Sequence, residues 1–249
     1  MWRFFADPSD IDENTIKLNS ENSAHLRSLR LRPSEHFIVC DGNGTDYVCK
    51  LGEKAESSVA TIIEKCLSQG ESSVKCTVYI AHTKGERSDY AVHKSVELGA
   101  HEIVFFPSAR CVAIPKNVEK KTARLQKISL EAAKLCNRGR VPKIKVCDSF
   151  KDAISDAKQA DIPLLFYELE NKLSLKEALE KASLDLSAKS KPLKTISIFI
   201  GPEGGFEPHE VDMAQNAGMI TASLGVRILR NETAPVAALA AIMFFIGEM

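Results

Sequence analysis

The sequence lacks the features that mark a disulfide-rich, metal-binding or membrane-spanning protein. Its 7 cysteines are odd in number and none forms a CxxC pair, so neither a disulfide framework nor a structural zinc site is expected. The longest apolar run, 234–246, has 13 residues, whereas a membrane span needs about 20. The N-terminus turns polar too early for a signal peptide. These absences predict a cytoplasmic protein with reduced thiols and no membrane contact.

Net charge and common nucleotide-binding motifs are missing too. Lys and Arg number 33, as do Asp and Glu, so the formal charge is zero and global charge identifies no partner. The 6 histidines have no metal-ligand spacing, and we expect no metal site. Walker A, GxGxxG and GxSxG motifs do not occur.

The length of the chain and its pattern of strand-like and helical segments predict an α/β protein of two domains. With 249 residues and 44% apolar content, the chain is long enough for one or two cores. Residues 1–70 read as a strand-rich domain with a hairpin turn at 41–44 (DGNG), and 69–73 as a linker. In 74–249, strands alternate with helices, which predicts a parallel sheet covered on both faces. Residues 183–194, rich in Ser and Lys, are expected to form an exposed loop.

Three predicted strand ends carry unusual sequences. Ligands bind parallel sheets at the carboxyl ends of strands, and here these ends are followed by 166–168, 200–206 and 224–235. Segment 200–206 (IGPEGGF) holds three glycines, which permit close approach of backbone to a ligand; a tight turn without a ligand is the alternative. Segment 224–235 alternates apolar residues with arginines, and its apolar side chains need a cover.

Positive charge is concentrated locally. Between 116 and 145 lie ten basic and two acidic residues, a local charge of +8, and Arg27, Arg30 and Arg32 form a second cluster. Such clusters are typical either of a solvated helix face or of contact with nucleic acid, and the sequence leaves both interpretations open.

Several motifs together resemble one known family. Segments 200–206 (IGPEGGF) and 224–234 (LGVRILRNETA) are similar to the cofactor motifs of the RsmE family, the 16S ribosomal RNA (uracil-N3) methyltransferases of the SPOUT class. The N-terminal RFF at 3–5, the stretch 25–33 and KSVELG at 94–99 extend the resemblance along nearly the whole chain. At 134–135 the chain has Lys-Leu where the family usually has Glu-Gln.

The resemblance implies a fold, a cofactor and partners. It implies a SPOUT-type parallel sheet with a C-terminal trefoil knot, a small PUA-like β-barrel at the N-terminus, and a homodimer. It implies S-adenosylmethionine as cofactor and 16S ribosomal RNA, free or in the 30S subunit, as substrate. The positions that match the family's cofactor site are Tyr167, Ile200, Gly201, Glu203, Gly205, Leu224, Gly225, Ile228 and Leu229.

The resemblance also suggests residues on the substrate side. Arg230 is the candidate catalytic residue, because a cation near the uracil oxygens would stabilise the anion that develops when N3 loses its proton. The candidate RNA contacts are Arg3, His25, Arg30 and Arg138. Two alternatives stay open: an inactive RNA-binding protein of the same fold, and a nucleotide-binding enzyme such as a dehydrogenase. Against the second alternative, the sequence lacks the acidic residue that would bind the ribose about 20 residues after the glycine loop.

Overall fold

The computed structural model describes residues 1–32, 35–51 and 58–249, which form two compact units. Unit 1 comprises residues 1–71 and 130–141, and unit 2 comprises 72–129 and 142–249. The sequence division near residue 70 did not anticipate that 130–141 groups with the N-terminal segment. Pro33, part of the family resemblance, lies outside the described residues. Among the described residues, no helix combines the length and apolarity needed to cross a bilayer.

Unit 1 is built around a five-stranded sheet in the order β1-β3-β4-β5-β2. The DGNG turn joins β3 to β4 as an antiparallel hairpin, as its sequence predicts. Its regular elements are β1 (Arg3–Phe5), β2 (Thr15–Lys17), α1 (Ser20–Leu29), β3 (Phe37–Cys40), β4 (Thr45–Leu51) and β5 (Val59–Leu67).

The core of unit 1 lies between this sheet and α1. Phe4, Phe37 and Val39 are fully buried, and Leu26 of α1 packs with them. The side chain of Asn19 accepts a hydrogen bond from the backbone N of Asn22 and thereby caps the start of α1. This core fixes the position of α1 on the sheet.

Unit 2 alternates strands and helices. Helix α3 begins in unit 2, and its residues from 130 onward belong to unit 1. The elements are β6 (Lys75–Ala81), α2 (Arg87–Glu97), β7 (Glu102–Phe106), α3 (Val118–Leu135), β8 (Lys143–Val146), α4 (Phe150–Ala157), β9 (Ile162–Phe166), α5 (Leu175–Ala188), β10 (Thr195–Ile200), α6 (Pro208–Asn216), β11 (Ile220–Ala222) and α7 (Ala234–Phe245).

The sheet of unit 2 has six parallel strands in the order β11-β9-β10-β6-β7-β8. All five residues of β9 are buried, as expected for a strand covered on both faces. The aromatic rings of Tyr79 and Phe199 stack in the core, and those of Phe106 and Phe150 pack against them in tilted or edge-to-face contacts. The predicted α/β fold class with a parallel sheet is therefore confirmed; the trefoil knot stays a prediction.

The predicted loop at 183–194 is wrong in its first half. Helix α5 continues to Ala188, because 183–188 contains neither Gly nor Pro and a capping box between Ser174 and Glu177 stabilises the helix start. The chain leaves the helix only where Ser190 adopts a φ of 52°. The polar composition of this segment led to the prediction of a loop, but an exposed helix has the same polar composition.

Candidate active site

The carboxyl ends of β9, β10 and β11 are adjacent in the sheet. Phe166, the last residue of β9, pairs in register with Ile200 of β10 and Ala222 of β11. The segments that follow these strands, 167–174, 201–206 and 223–233, therefore leave the same edge. Together they line an open cavity of about 1170 Å³ within unit 2.

The glycine-rich segment 201–206 packs closely against its neighbours. Gly205 has a φ of +72°, and a Cβ atom there would overlap with the carboxylate of Glu168. A Cβ atom on Gly201 would lie 3.1 Å from the ring of Phe206. The positive φ at Gly205 and the nearby Phe206 ring at Gly201 disfavour larger residues at these two positions.

Segment 223–233 is held at its end and open in its middle. Asn231 is buried, and its Nδ2 donates a 2.5 Å hydrogen bond to the carbonyl oxygen of Gly201. Val226 and Ile228, by contrast, are 96% and 85% exposed. Covering exposed apolar side chains with a bound molecule is energetically favourable.

Arg87, at the start of α2, connects two of these segments. Its Nη1 lies 2.7 Å from Oε1 of Glu203, and its Nε lies 3.9 Å from Oε2 of Glu232. One guanidinium thus faces carboxylates from both 201–206 and the end of 223–233. Charge-assisted contacts of this kind restrain the segments that carry them.

The structure brings every predicted cofactor residue to this single cavity. Arg230, the candidate catalytic residue, lies on its wall and is exposed. Ile228 is exposed in the cavity, whereas Leu224 and Leu229 are half-buried. The roles of these residues stay predictions. The lining includes Tyr167, Ile200, Gly201, Glu203, Gly205, Leu224, Gly225, Ile228 and Leu229.

The four predicted RNA contacts all lie in unit 1, in two different environments. Arg3 and Arg138 are buried, whereas His25 and Arg30 are exposed. Arg3 makes two hydrogen bonds of 2.8 Å to the carboxylate of Asp46, and Arg138 donates one of 2.7 Å to Glu71. The buried pair of arginines thus binds carboxylates of its own unit.

The pKa of Asp46 reflects this pairing. Burial alone would raise the pKa of the carboxyl, but hydrogen bonds from Arg3, Ser68 and Cys40 outweigh burial and hold the pKa below its usual range. Asp46 is therefore ionised at neutral pH, and it balances the charge of Arg3. Arg3 consequently stabilises unit 1, whatever further contact it makes.

Sequence reasoning assigned no role to Arg87 or Asn231. Asn231 lies inside the 224–234 motif, but nothing in its sequence position shows that it reaches Gly201. Arg87 lies just before the predicted start of α2, outside every motif. At the departure from the family pattern, Lys134 pairs with Glu131 at 2.7 Å and Leu135 is exposed. Among the described residues, no cluster of three or more His, Cys, Asp or Glu side chains could hold a metal ion.

The parallel-sheet unit with this cavity and the small strand-rich unit each match a family of RNA methyltransferase domains. The profile of the RNA methyltransferase domain family matches residues 70–243. The profile of the RNA methyltransferase PUA domain matches residues 18–63, within the strand-rich segment. These matches confirm the predicted enzyme class and the PUA-like nature of the N-terminal region, and they decide against the dehydrogenase alternative.

Curated relatives identify the branch of this class. The chain is 31% identical over 237 residues to Ribosomal RNA small subunit methyltransferase E of Mesomycoplasma hyopneumoniae, covering 95% of this chain and 96% of that protein. It is 30% identical over 252 residues to the protein of the same name in Bacillus subtilis, and the match covers 98% of this chain and 96% of that protein. The chain therefore belongs to the ribosomal RNA small subunit methyltransferase E family, which confirms the resemblance drawn from its motifs.

A solved structure agrees with this assignment. The crystal structure of Ribosomal RNA small subunit methyltransferase E from Neisseria gonorrhoeae, bound to S-adenosyl methionine, superposes with a TM-score of 0.81. The two chains are 29% identical, and the match covers 98% of each.

Proposed function

We propose that this protein methylates N3 of a uridine in 16S ribosomal RNA of the small subunit, with S-adenosylmethionine as the methyl donor. The observation that carries the proposal is the convergence of three strand-end segments on one cavity whose wall includes Arg230. Family membership supports a ribosomal RNA substrate of the small subunit. The proposal adds three specific statements to this: that the target base is a uridine, that its N3 atom is methylated, and that the RNA is the 16S molecule.

The cavity fits S-adenosylmethionine in size and chemistry. Its volume of about 1170 Å³ is large enough for S-adenosylmethionine, since small-molecule sites measure roughly 300–1,000 Å³. Asn231 Oδ1 is buried and has no hydrogen-bond partner among the described residues, so a ligand N–H group would satisfy it. The exposed side chain of Ile228 offers an apolar surface for the adenine ring.

The chain's own residues would hold and orient this cofactor. We infer that backbone groups of 200–205 and 224–229 contact it, together with Tyr167 and the side chains of Leu224, Ile228 and Leu229. When bound, S-adenosylmethionine supplies an electrophilic methyl group attached to a sulfonium sulfur. The protein contributes orientation of the two reactants and exclusion of water.

Arg230 is the residue we propose to act on the uracil. N3 of neutral uracil carries a proton, which must leave when a methyl group takes its place. Loss of that proton places negative charge on the ring oxygens, and a guanidinium that donates hydrogen bonds to those oxygens lowers the energy of the anion. Arg230 is exposed on the cavity wall, so it is free to reach a bound base.

RNA recognition is proposed to involve unit 1. His25 and Arg30 are exposed there, which supports direct contact with phosphate or base. Arg3 and Arg138 are buried, so we propose that they act on RNA only through the surface they support. The target uridine must be unpaired or extruded, because Watson–Crick pairing occupies N3.

Three further expectations from the resemblance stay proposals: the homodimer, the trefoil knot and the cytoplasmic location. Phe244 of α7, 75% exposed, supports a second copy of the chain covering this helix. Sedimentation equilibrium of the purified protein would detect a dimer, and a species of monomer mass at micromolar concentration would contradict it.

The decisive experiment is methylation in vitro. Purified protein, S-adenosylmethionine carrying a labelled methyl group, and 30S subunits or free 16S RNA from a strain that lacks this family's enzyme are incubated, and the RNA nucleosides are then separated by mass spectrometry. We expect 3-methyluridine at one position. Label on another atom or in another RNA would overturn the proposed target. No label despite RNA binding would leave the inactive RNA-binding alternative.

The role of Arg230 has a separate test. Arg230→Ala is expected to lower kcat by about 100-fold, the order found when one donor to a developing oxyanion is removed, while the Kd for S-adenosylmethionine stays unchanged by calorimetry. The matched control is Arg227→Ala, another exposed arginine of the same segment. An equal loss of kcat and cofactor affinity in Arg230→Ala would contradict the assigned role.

A further inference from the structure

A chain of aromatic rings in unit 1 leads from the core to the surface. Phe37 and Phe4 meet edge to face, with centroids 5.7 Å apart, and both are fully buried. His25 contacts Phe4 at 5.4 Å and an interplanar angle of 71°. Trp2 in turn contacts His25 at 6.0 Å and 69°. The series ends at an indole that is 50% exposed.

The exposed indole is held in a defined place. The carbonyl oxygen of Trp2 accepts a 2.8 Å hydrogen bond from the backbone N of Ile38, which continues the pairing of β1 with β3. His25 stands on α1, which the core of unit 1 fixes in place. The backbone of Trp2 is thus restrained by its hydrogen bond to the sheet, and its indole ring is restrained by contact with His25. A large aromatic surface that is both restrained and open loses little entropy when it binds a flat molecule.

The helix that carries His25 ends in a run of arginines. Residues 25–32 contain three arginines and no acidic residue. The side chains of Arg27, Arg30 and Arg32 are exposed, and none forms a salt bridge with another described residue. Arg30 ends α1 in the left-handed conformation, with a φ of 50°. Exposed guanidinium groups of this kind can contact phosphate.

An exposed aromatic ring in contact with an arginine-rich helix is a combination with which proteins bind single-stranded nucleic acid. Bases stack on the aromatic face, and the cations contact the backbone. A double helix offers no free base face, so the surface favours an unpaired nucleotide over a duplex. We propose that Trp2, supported by His25, forms a stacking site for one unpaired nucleotide of the RNA substrate. This inference rests on the proposed function only in that the ligand is RNA.

The protein carries its own probe for this site, because Trp2 is its single tryptophan. Single-stranded oligouridylate is titrated into the wild-type protein, and indole fluorescence is followed beside the anisotropy of labelled RNA. Stacking is expected to quench the fluorescence with the same midpoint as the anisotropy change. Unchanged fluorescence at RNA concentrations that saturate the anisotropy would overturn the proposal. Equal quenching by a duplex of the same length would overturn it too.

Variants separate stacking from charge. Trp2→Ala is expected to weaken RNA binding about tenfold, as measured for single base–aromatic stacks, whereas Trp2→Phe keeps binding within about threefold of wild type. Leu67→Ala, which removes an exposed apolar side chain elsewhere in unit 1, is the control and should bind RNA normally. Equal affinities of Trp2→Ala and wild type would refute the site.

A test on the enzyme distinguishes this inference from the proposed function. With 30S subunits, Trp2→Ala is expected to raise KM and leave the Kd for S-adenosylmethionine unchanged. If the wild-type protein methylates RNA but Trp2→Ala has a normal KM, only the stacking site fails. If the wild type quenches with RNA but methylates nothing, only the proposed activity fails. Quenching by ribosomal protein in place of RNA would assign Trp2 to a protein contact.

Discussion

The side-chain amide of Asn231 donates a hydrogen bond to the backbone oxygen of Gly201 at 2.5 Å, across 30 residues of sequence. The bond joins the end of segment 223–233 to the first residue of the glycine-rich segment 201–206. Both segments line the same cavity, so we expect this bond to help hold the cavity in shape.

Loss of this bond is expected to weaken cofactor binding. Asn231→Ala should raise the Kd for S-adenosylmethionine about tenfold, because it removes both the bond to Gly201 and the Oδ1 atom proposed to accept a hydrogen bond from the cofactor, and a lost buried hydrogen bond costs about 1–3 kcal/mol. Isothermal titration calorimetry measures the change. Asn216→Ala, an exposed amide at the end of α6, is the control. A wild-type Kd in Asn231→Ala would show that the bond does not shape the cavity.

Two glycine substitutions separate backbone strain from steric overlap. Gly205 and Gly218 both have positive φ, +72° and +94°, but only at Gly205 would a Cβ meet a neighbour, the carboxylate of Glu168. Gly205→Ala must displace the exposed Glu168 side chain and strain a segment of the cavity wall, so it is expected to weaken binding of S-adenosylmethionine. Gly218→Ala should lower the free energy of unfolding by about 1 kcal/mol through strain and bind the cofactor normally. Similar calorimetric Kd values for the two variants would contradict this reasoning.

Arg87 is expected to position the two segments that it joins. Arg87→Ala removes a cation that faces Glu203 and Glu232, and it should raise the Kd for S-adenosylmethionine by about fivefold, since partly exposed pairs contribute up to about 1 kcal/mol. Arg87→Lys should restore part of the affinity. High salt should weaken wild-type binding and have less effect on Arg87→Ala. Identical salt dependence in both proteins would argue against the role.

The buried pair of Arg3 and Asp46 is expected to stabilise unit 1. Arg3→Met leaves the Asp46 carboxylate buried without its partner, which should lower the free energy of unfolding by about 3–5 kcal/mol. Urea unfolding followed by circular dichroism measures this loss, and the double variant Arg3→Met, Asp46→Leu should recover much of it. Arg27→Met, at an exposed position, is the control. Failure of the second substitution to recover stability would contradict the interpretation.

Asp161 gives the protein an acid-sensitive contribution to stability. It accepts a 2.6 Å contact from Lys191 and hydrogen bonds from the backbone N of Lys194 and Thr195. Burial alone would raise its pKa, but these donors outweigh burial and lower the pKa from 3.8 to about 2. The folded state therefore binds its proton less readily than the unfolded state, so this contribution is present above about pH 4 and is lost as pH falls toward 2.

The size of the effect follows from the shift. A pKa of Asp161 lowered from 3.8 to about 2 corresponds to about 2 kcal/mol of stability at neutral pH. Asp161→Asn is expected to be less stable than wild type at pH 7, and the two should converge as pH falls toward 2. Urea midpoints across this range test it, with the exposed Asp185→Asn as control. A constant gap at all pH values would show that the carboxylate's ionisation is not the cause.

The sequence predicted the sheet and the position of the site for the same reason. Strand β9 is a continuous apolar run and β10 is mostly apolar, because both faces of the sheet are buried. Glycines mark the turns where the backbone packs closely. Ligands gather at carboxyl ends of parallel strands, so 200–206 and 224–234 could be located without coordinates. The extension of α5 through Ser and Lys residues escaped prediction, since polar residues occur in loops and in exposed helices alike.

The amino-acid sequence by itself determined the strands, most of the helices, the family and the three segments that form most of the cavity wall. Tertiary structure alone decided that Asn231 reaches Gly201, that Arg87 faces two carboxylates, and that Arg3 is buried while Trp2 remains open. Hydrophobic periodicity and glycine placement depend on neighbours along the chain, and these are written in the sequence. The partner of a single polar or aromatic side chain depends on which distant segment folds beside it, and only the folded chain fixes that.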